Sequence, residues 1–269
     1  MRLCARPAMH LFSSINLLYS LSGLAVGILV GLTGVGGGSL MTPLLVLLFG
    51  VHPSTAVGTD LLYAAATKTV GTAVHGYKRT VQWNIVGRLA LGSVPTTIAT
   101  LLVLSRLKET AAVSAVITSA LGWALLVTAV AILFRKSIVA YFQSRTKDLA
   151  PGRAGGLTIL LGAVLGVLVA MTSVGAGALG MTVLLILYPK TDVAKLVGSD
   201  IAHAVPLTLL AGIGHWMMGS VNWELLVSLL VGSIPGIVVG SLLAARTPDG
   251  VLRPVLAGTL ALVGGKLLT

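Results

Sequence analysis

Thr33-Gly34-Val35-Gly36-Gly37-Gly38-Ser39 is the first stretch whose residue types could do chemistry. Each glycine costs a helix interior ~1 kcal/mol relative to alanine, so this run is not the middle of a helix. A short apolar segment follows it, which places the glycines at a helix N-terminus. Free backbone N–H groups and the positive end of the helix dipole attract anions there. A degenerate copy, Thr172-Ser173-Val174-Gly175-Ala176-Gly177, supplies a second such terminus. Thr33, Gly36, Gly37, Gly38, Ser39, Thr172, Ser173, Gly175 and Gly177 are therefore candidate substrate-binding positions. No Gly-Lys-Ser/Thr follows either run, so neither is a nucleotide phosphate loop. A plain tight turn between packed helices is the competing reading.

Lys68 is the second candidate. It lies well inside an apolar run, where insertion of a lysine costs about 2.5–3.5 kcal/mol, and such residues are functional candidates by default. Its roles would be to bind an anion or to pair with a carboxylate. The alternative is a lysine that snorkels to the interface. Asp60, Lys68 and His75 fall on one helical stripe. Asp60 and Asp200 share a Val-Gly-Thr/Ser-Asp setting near expected helix starts, and His203 follows Asp200 by one turn. The two aspartates and His203 are proton-coupling candidates. First-turn carboxylates that suit the helix dipole are the plainer reading of the aspartates. His75 and His215, near segment ends, read as interfacial. No residue set calls for a metal, a cofactor or a catalytic role.

The elements that must position these residues come in two copies about 140 residues apart. Val57-Gly58-Thr59-Asp60 answers to Val197-Gly198-Ser199-Asp200, and Trp83 to Trp223. Gly92-Ser93-Val94-Pro95 answers to Gly232-Ser233-Ile234-Pro235. Each half holds five apolar segments, roughly 11–32, 37–50, 55–75, 84–104 and 111–134, then 156–172, 177–188, 194–216, 223–244 and 251–268. The second segment of each half is too short for a straight ~30 Å crossing, which takes about 20 residues. It is expected to be a half-helix, a re-entrant piece or a short tilted span. The spacing predicts an all-α, polytopic membrane protein with about eight to ten transmembrane helices. Its expected units are a first repeat over 1–134, a basic cytoplasmic connection over 135–155 and a second repeat over 156–269. Five crossings per half would make the repeats inverted, and the split of basic residues between the loops favours this. Gly23, Gly27 and Gly31, with Gly162, Gly166 and Ala170, and with Gly232, Gly236 and Gly240, keep a four-residue spacing suited to close helix packing.

Composition excludes other classes. Of 269 residues, 56% are hydrophobic and 9% charged, and mean hydropathy is +1.01. Soluble domains carry about 25% charge. The net charge of +11 sits mainly in short connections, so it sets topology rather than marking a nucleic-acid binder. Cys4 is the single cysteine, so no intrachain disulfide forms.

The Thr33–Ser39 stretch, its copy at Thr172–Gly177 and the paired Gly-Thr/Ser-Asp motifs resemble the TauE/SafE sulfite exporter family, also called the toluene sulfonate uptake permeases. The resemblance runs from about residue 15 to 268. It implies a multi-pass permease of the bacterial inner membrane for small sulfur-containing anions such as sulfite or organosulfonates. It also implies that the glycine-rich segments line the pathway. Ala176 and Ala178 replace Gly37 and Ser39, which weakens a fully symmetric site. The expected function is secondary transport, in the export direction and driven by an ion gradient. The expected partners are a small anion and the lipid bilayer, with no nucleic acid, and a homodimer is a candidate assembly. A passive anion channel is the alternative. An intramembrane aspartyl protease fits poorly, because Ala56 and Leu196 stand where a Gly-x-Gly-Asp pattern needs glycine.

Overall fold

The computed structural model describes residues 16–33, 38–77, 81–107, 111–146, 151–244 and 249–269. Those residues form eleven helices and no strands: α1 Leu17–Thr33, α2 Gly38–Phe49, α3 Pro53–Tyr77, α4 Trp83–Arg106, α5 Ala111–Leu133, α6 Arg135–Thr146, α7 Pro151–Thr172, α8 Ala178–Leu187, α9 Val193–Met217, α10 Trp223–Ala244 and α11 Asp249–Leu268. Ten of them match the ten apolar segments expected from sequence. The eleventh, α6, lies in the basic connection, where its Gln143 side chain donates to Leu185 O at 3.2 Å.

Five helices are long and apolar enough to cross a bilayer: Trp83–Arg106, Val113–Leu133, Gly152–Thr172, Val193–Met217 and Trp223–Gly240. Their outward faces are apolar. Leu91, Trp123, Leu160 and Val238 all lie more than half exposed, which suits lipid and not water. Helices α2 and α8 have 12 and 10 residues. At 1.5 Å per residue they are about 18 and 15 Å long, roughly half a membrane.

Packing couples the first half to the second. Helix α1 lies on α10, α4 on α7, α3 on α9, and α5 on α11. The first two pairs close on glycine. A Cβ at Gly232 would stand 1.8 Å from Ser20 O, and one at Gly92 would stand 1.9 Å from Ile159 O. Gly23, Gly27, Gly162 and Gly166 meet backbone oxygens in the same way. These contacts advance together along both chains, so α1 runs parallel to α10 and α4 parallel to α7. The α3–α9 pair runs the other way, with Gly58 against His215 and Gly212 against Leu62. The main core is shared: Val57, Leu61 and Leu89 of the first half pack with Leu165, Met181 and Leu207 of the second.

Candidate functional site

The Gly-Thr/Ser-Asp motifs acquire a split role. Thr59 Oγ1 accepts from Asn222 N at 3.1 Å, and Ser199 Oγ accepts from Gln82 N at 2.8 Å. Gln82 and Asn222 immediately precede α4 and α10, so each motif hydroxyl holds the start of a helix in the opposite half. Replacing Ser199 by alanine leaves that N–H without its acceptor and should cost about 1 kcal/mol. A thermal-unfolding series in detergent would then show a midpoint about 2–4 °C lower.

The aspartates point elsewhere. α3 begins at Pro53 and α9 at Val193, so Asp60 and Asp200 lie two turns inside their helices. The first-turn reading of these carboxylates is thereby overturned. Both are buried. Asp60 Oδ2 accepts from Thr42 N at 3.2 Å and, in a short contact, from the Thr42 hydroxyl. The Ser173 hydroxyl approaches the same carboxylate without completing a hydrogen bond. Asp60 Oδ1 has no partner. Thus Asp60 sits where α2 of one half meets the glycine-rich turn of the other.

Asp200 lacks such a cradle. Its Oδ1 lies against Gly180 of α8, where a Cβ would stand 2.6 Å away. That oxygen has no partner. Thr182, the counterpart of Thr42, turns its hydroxyl to Ala178 O at 2.7 Å instead. The symmetry of the motif is therefore broken at the carboxylate.

Lys68 is buried, with 7% of its surface exposed, so it does not snorkel. At the α3–α9 register, in which Gly58 meets His215 and Gly212 meets Leu62, Lys68 comes level with Val205 and Pro206 near the middle of the pair, short of its counterpart Thr208. Along α3, Asp60 lies eight residues from Lys68; along α9, Asp200 lies five to six residues from that level, on the opposite side. At 1.5 Å per residue these are about 12 and 8 Å along the axis. The Lys68 ammonium acts through space on both carboxylates, on Asp200 more than Asp60. One buried lysine thus stands between two buried carboxyl groups. In a medium that screens poorly, such charges are felt over long distances.

His203 joins this group from α9. Its Nε2 meets Ser93 Oγ at 2.8 Å, and its Nδ1 is buried without a partner. Its counterpart is Tyr63, whose hydroxyl makes a short contact with Ser233 Oγ. Ser93 and Ser233 are themselves counterparts. The pair of crossed bonds ties α3 to α10 and α9 to α4. Sequence reading missed Tyr63, although the repeat alignment places it opposite His203.

The glycine-rich turn of the second half is fully described. Ser173 adopts φ 59°, and Gly175 and Gly177 adopt 119° and 116°, conformations that favour glycine. Thr172 Oγ1 donates to Leu168 O at 2.7 Å and accepts from Val174 N at 3.2 Å. Its hydroxyl therefore builds the turn, whereas the buried Ser173 hydroxyl stays unpartnered. Gly177 caps α8 without a side chain. In the first half, Thr33 ends α1 and Gly38 and Ser39 begin α2. Gly36 and Gly37 lie outside the described residues, as does the side chain of His75. His215 is not interfacial. It is 2% exposed, and its Nε2 meets Ala170 O at 2.9 Å.

Comparisons with known proteins agree with this architecture. The family model for sulfite exporter TauE/SafE matches residues 19–267. The chain is 39% identical to probable membrane transporter protein YjnA of Bacillus subtilis, over 92% of this chain and 98% of the relative. Probable membrane transporter protein YdhB of the same organism is 29% identical, over 90% of this chain and 96% of its own. A probable membrane transporter protein of Xylella fastidiosa is 26% identical, over 84% and 83%. No solved structure matches. A multi-pass helical bundle, short paired helices and buried charge at its centre accompany a family match along nearly the whole chain: this protein belongs to the sulfite exporter TauE/SafE family of membrane transporters.

Proposed function

We propose that the protein is a secondary transporter that exports a small sulfur-containing anion, with sulfite as the first candidate, and couples it to protons. The observation that carries the reading is Lys68, a buried lysine near the middle of the α3–α9 pair, between two buried carboxyl groups. An anion entering there would meet the lysine and the hydroxyl of Ser173. The glycine-rich starts of α2 and α8 would offer it backbone N–H groups. Asp60, Asp200 and His203 are the groups that would carry the proton. The family name supports a sulfur oxyanion.

The repeats are read as inverted. α1 and α3 run with α10, whereas α7 and α9 run with α4, so corresponding helices of the halves point oppositely. On this reading, residues 1–134 and 156–269 are the two repeats, and 135–155, with its basic residues, faces the cytoplasm.

The reading is tested by sulfite flux in proteoliposomes with and without an imposed pH gradient. Uphill flux that follows the proton gradient is expected. Flux that only ever runs down the anion's own gradient would favour a passive channel. The Asp200→Asn variant separates the two roles further. It should lose accumulation against a gradient yet retain downhill exchange, because it removes a carboxylate without removing Lys68. Undiminished accumulation would remove Asp200 from the coupling machinery.

A further inference from the structure

A small polar space opens at the start of α3. A cavity of about 300 Å³ is lined by Ser54, Ser105, His215, Met217, Met218 and Ser220, among others. It gathers the start of α3, the ends of α4 and α9 and the start of α5, so it lies at the face opposite α6. His215 lines this cavity and borders the segments that build the Asp60 site. Its Cβ would touch a Cβ added at Gly58, 2.9 Å away, two residues before Asp60. Its hydrogen-bond partner Ala170 lies three residues before Ser173. The segments that carry Asp60 and Ser173 thus both border this one residue.

The bond to Ala170 fixes the ring's chemistry. A carbonyl oxygen only accepts, so Nε2 carries the proton and donates to it. In the neutral ring, Nδ1 then holds a lone pair, and that atom is buried without a partner. A buried acceptor left unsatisfied is costly, and each such group calls for an explanation. Ligand binding supplies one. We propose that the cavity is the vestibule of the transport pathway on the face away from α6, and that His215 is a positioning residue there, its Nδ1 accepting a hydrogen bond from the hydroxyl of a singly protonated oxyanion before that anion reaches Asp60 and Lys68. The proposal rests on the anion-transporter reading above.

The charged and titratable surroundings are few. α3 contributes Asp60 beyond Gly58, and His52 stands just before α3, bonded through Nδ1 to Ser54 Oγ at 2.9 Å and through Nε2 to Ser114 Oγ at 2.7 Å. α4 ends in Arg106, next to Ser105. The described parts of α5, α7 and α9 bring no other titratable side chain to this end.

His215→Gln is the informative variant. Glutamine can keep a donor on Ala170 O but has no acceptor at the Nδ1 position. Sulfite presented at the cavity face should show a KM raised about tenfold, with kcat within a factor of two, as expected for one lost hydrogen bond to a charged group. The wild-type KM in total sulfite should rise with pH as the protonated anion is depleted, and the variant's KM should be flat. Nitrogen-15 NMR of the labelled wild-type protein should show the His215 Nδ1 resonance moving on addition of sulfite, more at low pH than at high. Wild-type flux with an unchanged KM and pH profile in the variant, or a resonance that saturating sulfite does not move, overturns the vestibule. Absence of sulfite flux in the wild type instead sinks the transporter reading itself.

Discussion

Lys68→Ala is expected to abolish anion transport in proteoliposomes while leaving a folded, monodisperse protein. The variant removes the positive charge that faces Asp60 and Asp200 at the centre of the α3–α9 pair. An anion arriving there would then meet carboxylates alone. A hydrogen bond to a charged group is worth about 1.5–3 kcal/mol, so the flux should fall by about ten- to a hundredfold from that loss alone. Repulsion by the uncompensated carboxylates adds to it. Folding survives because alanine is small and apolar, and Lys68 has no hydrogen bond or ion pair to another described residue within contact distance. Lys68→Arg keeps the charge but needs more room, and should retain a measurable fraction of the flux. Wild-type flux in Lys68→Ala would remove this residue from the pathway.

Gly232→Leu has the larger structural effect. The new Cβ would stand 1.8 Å from Ser20 O and 2.9 Å from Leu24 N, both backbone atoms of α1. No rotamer relieves a clash at Cβ, and a helix backbone cannot step aside locally. Overpacking by a side chain alone costs about 1–3 kcal/mol. Here α1 must lift off α10, so the loss exceeds that range and separates the two halves. The expected result is a protein that elutes as aggregate from size-exclusion chromatography in detergent. Gly258→Leu is the control, since a Cβ there meets nothing within 4 Å. It should elute as the wild type does.

Much of the fold was legible from the chain alone, because a bilayer demands long apolar helices and the repeat marks their ends twice. The ten apolar segments correspond to ten helices within a few residues. The four-residue glycine spacing named the faces that pack, but not their partners. Partner choice depends on tertiary register, which no local pattern encodes. The candidate site was legible in part. Lys68 and the two aspartates stand out because charge is rare in apolar runs. Their depth in the helices was misjudged: segments beginning at 55 and 194 already put them five and six residues in, past the first turn, and the starts at Pro53 and Val193 take them one or two residues deeper. His215 read as interfacial because it lies near the end of α9, whereas neighbouring elements bury it. Tyr63 carried no signal of its own. Only alignment against His203, together with the crossed bonds to Ser93 and Ser233, shows that the two are equivalent.

The crossed pairing of α1 with α10 and α4 with α7 also bears on ancestry. A half-length chain would leave both glycine faces open, Gly23 and Gly27 on α1 and Gly92 on α4, with nothing of its own to close them. Only another copy, inserted the opposite way up, could cover them. On the inverted reading, a half-sized chain before fusion would have had to enter the membrane in both orientations and work as an antiparallel pair. Fusion then freed the two copies to diverge. Lys68 where the other half has Thr208, and Tyr63 where it has His203, would be what that freedom left in the present chain.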